Sequence, residues 1–403
     1  MEKTNKVEQI KGSDKTNNGK GTEEGSKQLR SRVARLVQKL SGSSERKRPE
    51  VKYCVGLDLG DRETEYCIVT TGSGETAITG RVATTPGELA AYFKAIPRSR
   101  VAMEVGTHSP WLNELLKGLG HEVYVANVRK MEGGRKRRRR KNDRIDAERL
   151  ARMVRSDPKL LYPIQHRGSE ARHGLAVLRA RDAMVGARTK LIGCVRGLVK
   201  ATGKRLTGCS TEAFHVQAPA GIPEELRSIL GPIVAEIGTL TGQIREYDKQ
   251  IERLAKDEYP ETELCRQVKG VGPVTSLAYV LTLENPSRFA RSRDVGPYLG
   301  LVPQQYESGD SSPQLRITKT GDRMLRRLLV GSAQYILGPF GEDCDLRRHG
   351  TRIAARGGKN AKKRAVVAVA RKLAVLLHRL WTTGEVYEPL RNSNSLEVAE
   401  ATS

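Results

Sequence analysis

Apolar residues fall into a regular pattern only from Val51 onward. VKYCVGLDLG, TEYCIVTTG and AITGRVATT hold short apolar runs bounded by Gly, Asp and Thr, which predicts three successive strands, the first two forming a hairpin. PGELAAYFKAI opens on Pro and continues with helical spacing. RVAMEVG reads as a strand, SPWLNELLKGLG as a helix stopped by Gly, and HEVYVANV as another strand. Three strands in a row, then alternating helix and strand, predict an α/β domain with a mixed sheet over residues 51–160. The preceding residues 1–50 are polar and rich in Gly, Ser and Lys. They read as a disordered basic extension with at most a short helix across LRSRVARLVQKL.

The period changes in the middle of the chain. Leu226, Leu230, Ile233, Ile237, Leu240, Ile244, Tyr247, Ile251 and Leu254 alternate by four and three, a heptad seam. GIPEEL places Pro and two Glu at the start of that helix, where both are favoured. Residues 169–201 are helical with a less clean seam. Together they predict a helical coiled-coil region over 165–260. It serves either to assemble a homodimer or tetramer or as an intramolecular helical pair. A mainly helical domain follows over 262–390. It contains VKGVGPVTSLAYVLTL, with Gly270 and Gly272 in a turn before a helix, and ITKTGDRMLRRLLV and GKNAKKRAVVAVARKLAVLLHRL as basic helices with apolar stripes. Residues 391–403 read as a disordered tail.

Charge narrows the partners. The 403 residues carry a formal net charge of +25, far more than solubility needs, and this points to a polyanion such as nucleic acid. No apolar run has transmembrane length, and the N-terminus lacks a signal-peptide core, so membrane and secreted classes are set aside in favour of a cytoplasmic, nucleoid-associated protein. The six Cys are scattered without a CxxC pair, as expected of reduced thiols. Aromatics make up 4%, too few for base stacking to dominate over phosphate contacts.

Against this basic background four acids stand out. Asp58 ends the first strand, Glu104 ends a later one, and Asp143 and Asp146 lie one helical turn apart in NDRIDAERLARMV. Magnesium takes oxygen ligands, and phosphodiester chemistry uses several carboxylates around one or two such ions. Taken singly, each acid is as well explained by a turn, a helix cap or an Arg partner. In this order within one α/β domain they resemble the acidic set of an RNase H-like nuclease fold. The run Arg135, Lys136, Arg137, Arg138, Arg139, Arg140 and Lys141 leads directly into the Asp143 helix. It reads as a phosphate-gripping loop or as a solvated charge run.

GLDLG, MEVG and NDRIDAERLA together resemble the N-terminal domain of insertion-sequence transposases with a DEDD, RuvC-like catalytic domain. VKGVGPVTSLAYVL, GLVPQQYESG and ITKTGDRMLRRLLV resemble the second domain of the same family, and the likeness covers roughly residues 51–385. The resemblance implies an RNase H-like mixed-sheet domain with a central coiled coil and a C-terminal mainly helical domain. It also implies Mg²⁺, as two ions, on Asp58, Glu104, Asp143 and Asp146, and a serine nucleophile in a Tyr-Glu-Ser-Gly context, here Ser308. The implied partners are DNA, as element ends and target, and a structured guide RNA. Lys319, Arg323, Arg326 and Arg327 follow Ser308 as candidates for stabilising phosphate charge, or as a solvated helix face. Two rivals are a metal-dependent, junction-resolvase-like endonuclease that uses water, and a nucleic-acid-binding protein without catalysis.

Overall fold

The computed structural model describes residues 51–131, 143–306, 311, 313 and 315–392. The N-terminal extension, the basic run 135–141, Ser308 and the tail beyond residue 392 lie outside the described residues. The chain divides into two compact units at His166/Arg167.

The first unit is built on a five-stranded mixed sheet of order β3-β2-β1-β4-β5. Its strands are β1 (Tyr53–Leu59), β2 (Glu63–Thr70), β3 (Thr76–Ala83), β4 (Arg100–Glu104) and β5 (Glu122–Ala126). The hairpin partners β1–β2 and β2–β3 are antiparallel, whereas β1–β4 and β4–β5 are parallel. This is the mixed α/β sheet expected from the element order. Strand β1 is central and covered on both sides, so its sequence is almost continuously apolar. Its alternate residues serve two cores. Val55 and Leu57 join Leu89, Phe93, Leu112 and Leu116 from helices α1 (Pro86–Lys94) and α2 (Ser109–Gly118). On the opposite face Cys54 joins Ala147, Leu150, Ala151 and Val154 from helix α3 (Asp143–Ser156).

The second unit is helical among its described residues apart from isolated bridges. Helices α4 (Ser169–Ala201) and α5 (Glu224–Asp257) pack on each other. Ile192, Val195 and Val199 meet Leu230 and Ile237, while Ala171, Leu175 and Leu178 share a core with Ile251 and Ala255, so the two run antiparallel. The seam residues Leu230, Ile237, Leu240, Ile244 and Ile251 are buried within the chain. The described contacts are therefore those of an intramolecular helical pair. Helix α5 also carries Pro232 in its interior, where a backbone donor is missing.

One core joins the base of that pair to α6 (Pro273–Leu283), α7 (Arg323–Leu337), α8 (Asp345–Ala355) and α9 (Ala361–Thr383). Helix α6 is buried from Thr275 to Leu283, and Tyr279 Oη donates to Ala374 O at 2.6 Å. Residue Gly270 adopts φ 94°, which provides the turn expected before α6. The basic helix expected across ITKTGDRMLRRLLV begins only at Arg323, because Lys319 and Gly321 take φ 55° and 77° and Asp322 caps the helix by accepting from Leu325 N at 2.9 Å. Among the described residues no helix is long and apolar enough to cross a membrane.

Candidate active site

Asp58 lies one residue past the Leu57–Met103 pairing of β1 with β4, and Glu104 is the next residue of β4. The two are neighbours across a parallel ladder whose strands are spaced by about 4.8 Å. Strand parity puts both on the α3 side, since Cys54, Gly56 and Asp58 alternate with the inward Val55 and Leu57. Both residues are half-buried.

Helix α3 comes unusually close to the sheet. A Cβ on Gly56 would lie 1.9 Å from Ala147 O and 2.5 Å from Ala151 N, so only glycine allows this approach. The far end of α3 is tied to the loop after β2. Arg155 donates from Nε to Thr71 O at 3.0 Å and from Nη2 to Gly72 O at 2.8 Å, and Arg152 donates from Nη1 to Gly74 O at 3.2 Å. That loop follows Thr70, the partner of Tyr53 at the start of β1. Helix α3 therefore runs antiparallel to β1, and its first turn, with Asp143 and Asp146, lies toward the Asp58 end. Acids in a first helical turn also meet the positive end of the helix dipole. Asp143 is exposed and Asp146 half-buried.

A row of charged residues crosses the sheet at this end. Asp58 pairs in register with Glu65 of β2, and Glu65 with Arg81 of β3. Glu65 and Arg81 form an ion pair. The Arg81 guanidinium is held more firmly protonated than usual, chiefly by its hydrogen bond to Glu65 and in smaller part by Asp143. The sequence reading omits Glu65 and Arg81. The signal that finds them is the hairpin register: once Leu59 is paired with Thr64, Glu65 must stand beside Asp58.

The structure thus sets Asp58 and Glu104 side by side and brings the Asp143/Asp146 turn toward the same end of the sheet. It does not converge them on a point. Among the described residues no three His, Cys, Asp or Glu side chains gather closely enough to hold a metal ion. The chemistry of the four is nevertheless that of an oxygen-only ligand set, which suits a hard divalent cation. Cys54 and Cys67 lie deeper on the same face, and burial pushes both thiols up, which keeps them protonated and inert as packing groups.

The cations expected to stabilise phosphate charge divide into two kinds. Lys319 and Arg323 are exposed. Arg326 donates to Thr320 O at 2.8 Å and Leu299 O at 3.0 Å, and Arg327 is paired with Asp182. Arg326 and Arg327 are therefore engaged with the protein itself. The exposed Tyr306 is the last described residue before Ser308.

Known protein families match both halves of the chain. A model described as "Transposase", of the IS110 DEDD type, matches residues 55–203 and so spans all four acids. A model described as "Transposase IS116/IS110/IS902 family" matches residues 262–340, which span α6, α7 and the segment that contains Ser308. The DEDD class implies carboxylates that bind a divalent metal. The transposase for insertion sequence element IS1111A of Coxiella burnetii is 29% identical over 255 residues, 61% of this chain and 68% of that protein. The transposase for insertion sequence element IS1328 of Yersinia enterocolitica is 27% identical over 350 residues, 83% of this chain and 98% of that protein. A probable family 20 transposase of Pseudomonas aeruginosa is 28% identical over 307 residues, 74% of this chain and 88% of that protein. With both domains matched in order along one chain, the protein belongs to the IS116/IS110/IS902 family of transposases.

Proposed function

We propose that this transposase cuts and rejoins the DNA of an insertion sequence with Mg²⁺ on Asp58, Glu104, Asp143 and Asp146 and with Ser308 as nucleophile. The observation that carries the reading is the placement of Asp58 and Glu104 at adjacent parallel strand ends, with the first turn of α3 directed to the same end. Bound there, the cation supplies Lewis acidity at a phosphate oxygen. The Ser308 hydroxyl loses its proton to a base and its oxygen bonds to phosphorus. The phosphorus–oxygen bond to one strand end breaks, and that end takes up a proton and leaves as a hydroxyl. The phosphoserine ester retains the strand until the hydroxyl of a different strand end displaces the serine and restores a phosphodiester. The reading includes a structured guide RNA and a homodimer or tetramer. The net charge of +25 supports a polyanionic partner, and the family resemblance supports the guide.

An excision and insertion assay on a supercoiled donor plasmid tests this. Asp58→Ala and Ser308→Ala are each expected to lower product by on the order of 10³-fold, the scale of a lost transition-state electrostatic contact. Wild-type protein is expected to yield a covalent DNA adduct on a denaturing gel, and Ser308→Ala none. If both variants keep full activity, the reading fails. If Ser308→Ala still cuts DNA and wild type forms no adduct, water is the nucleophile and the protein cleaves as a nuclease.

A further inference from the structure

The second unit holds a groove of about 1630 Å³ between α8, α9 and the segment 315–319. It is larger than the usual small-molecule pocket of about 300–1,000 Å³. Its rim carries Arg316, Lys319, Arg356, Lys363, Arg364, Arg371 and Lys372. All seven are exposed, and among the described residues none is in an ion pair. Elsewhere in the unit cations are paired across elements, as in Arg181–Asp248, Arg327–Asp182 and Arg266–Glu252. Within the groove Arg379 and Arg391 are bound to Glu385, so the unpaired excess rests with the other seven. Like charges crowded this way repel, and a polyanion relieves them. The field is felt by His349 on the groove wall, which burial first, and then Lys372, Arg352 and Arg356, make harder to protonate.

We infer that this groove binds one strand of the sugar–phosphate backbone of duplex DNA. The inference rests on the transposase reading only for the identity of the polyanion. Three features select the occupant. The floor is apolar, formed by Ile353, Val367, Val375 and Leu376, and suits the C–H faces of deoxyribose. A ribose 2′-hydroxyl there would be desolvated without a partner. Tyr387 and His349 are the aromatic rings on the described lining, too few for a base-stacking platform, which argues against a single-strand mode. Lys363 and Arg371, like Arg364 and Lys372, are eight residues apart on α9, so cation pairs recur after roughly 12 Å along the helix. Pro303 and Ile317 form an isolated bridge and both line the groove, so it lies at the described base of the segment that carries Ser308. The groove holds the duplex by its backbone and reads no base.

The test uses the full chain and a 30-base-pair DNA duplex, with an RNA duplex of the same sequence in parallel, and follows fluorescence anisotropy across a salt titration. Arg371→Ala/Lys372→Ala is expected to weaken DNA binding about tenfold at moderate salt and to reduce the slope of log K against log salt by about two, one per lost phosphate contact. RNA binding is expected to change by less than twofold. Lys363→Ala/Arg364→Ala is the second variant and is expected to act alike. Arg371→Lys/Lys372→Arg keeps the charge and is expected to keep the slope. Unchanged DNA affinity and slope in both double alanine variants overturn the inference, and so does an equal loss on RNA. The assay involves no strand cleavage. A failure of Ser308→Ala to abolish strand exchange would sink the nucleophile reading and leave this result standing, and the converse holds.

Discussion

The acidic end of the sheet and the basic groove of the helical unit are built by opposite means. At the sheet, position is set by backbone: β1 and α3 touch main chain to main chain at Gly56, and the hairpin register sets Glu65 beside Asp58. In the groove, position is set by long, rotatable side chains projecting from α9 over an apolar floor. Metal-assisted chemistry needs ligands fixed to a fraction of an ångström, whereas backbone grip on a polyanion tolerates movement and gains from redundancy. The difference predicts that the same small change is damaging in one region and harmless in the other.

One added methyl group tests this most sharply. Gly56→Ala brings a carbon against Ala147 O and Ala151 N, backbone atoms that yield only if α3 lifts off the sheet. The expected cost is about 3 kcal/mol of stability for the first unit, at the upper end of ordinary overpacking. Strand transfer is expected to fall further than stability does, because lifting α3 carries Asp143 and Asp146 away from Asp58. Gly296→Ala is the matched change in the other unit. The three atoms nearest its Cβ would all belong to the Arg371 side chain, from 3.3 Å, and that side chain can swing aside. The expected cost there is under about 0.5 kcal/mol. Thermal melts of the two variants measure the contrast, and equal losses would break it.

The next effect is smaller and concerns redundancy. Arg371→Ala alone removes one of seven exposed cations of the groove that are in no ion pair among the described residues. It is expected to weaken duplex binding only a few-fold and to lower the salt slope by about one. By contrast, no single carboxylate of the acidic set is expected to be dispensable. A groove variant with a hundred-fold loss would mean that its side chains are fixed as rigidly as the strand-end carboxylates are.

The two regions also differed in how readable they were. The strand-end acids were legible because a carboxylate that interrupts an apolar run is conspicuous, and the sheet type followed from three strands before the first helix. Glu65 was not legible as a site neighbour, because its placement depends on a hairpin register that period-two patterning leaves open by one step. The heptad seam was real as a periodicity, but its partner is a tertiary fact: α4 of the same chain covers it. Nor did spacing locate the groove. It marked α9 as basic and striped, yet which cations face one another depends on how α8 and the 315–319 segment pack across it.

Two histidines extend the comparison to pH. His121 accepts from Ser99 N at Nδ1 at 3.2 Å and places Nε2 3.1 Å from Phe93 O, to which it donates, so the neutral ring is the form that fits. Burial holds its pKa below the usual histidine range, with a smaller opposing effect from the bond to Phe93. The unfolded chain therefore takes up the proton first as pH falls. Stability that is present above the unfolded pKa is lost as pH drops through that value toward the folded one. The melting temperature of the first unit is expected to fall between pH 7.5 and 5.5, measured as a difference between wild type and His121→Gln. His349 is also held down, by burial and then by Lys372, Arg352 and Arg356. Its neighbours are the cations that a phosphate backbone would neutralise, so bound DNA raises its pKa and the complex takes up a proton. Duplex affinity is therefore expected to rise as pH falls through the same window, and His349→Gln to flatten that rise. Acid thus loosens the unit whose geometry is fixed by backbone while tightening the grip of the one built from charge. If affinity and stability fell together with pH, the groove would not be where the phosphates lie.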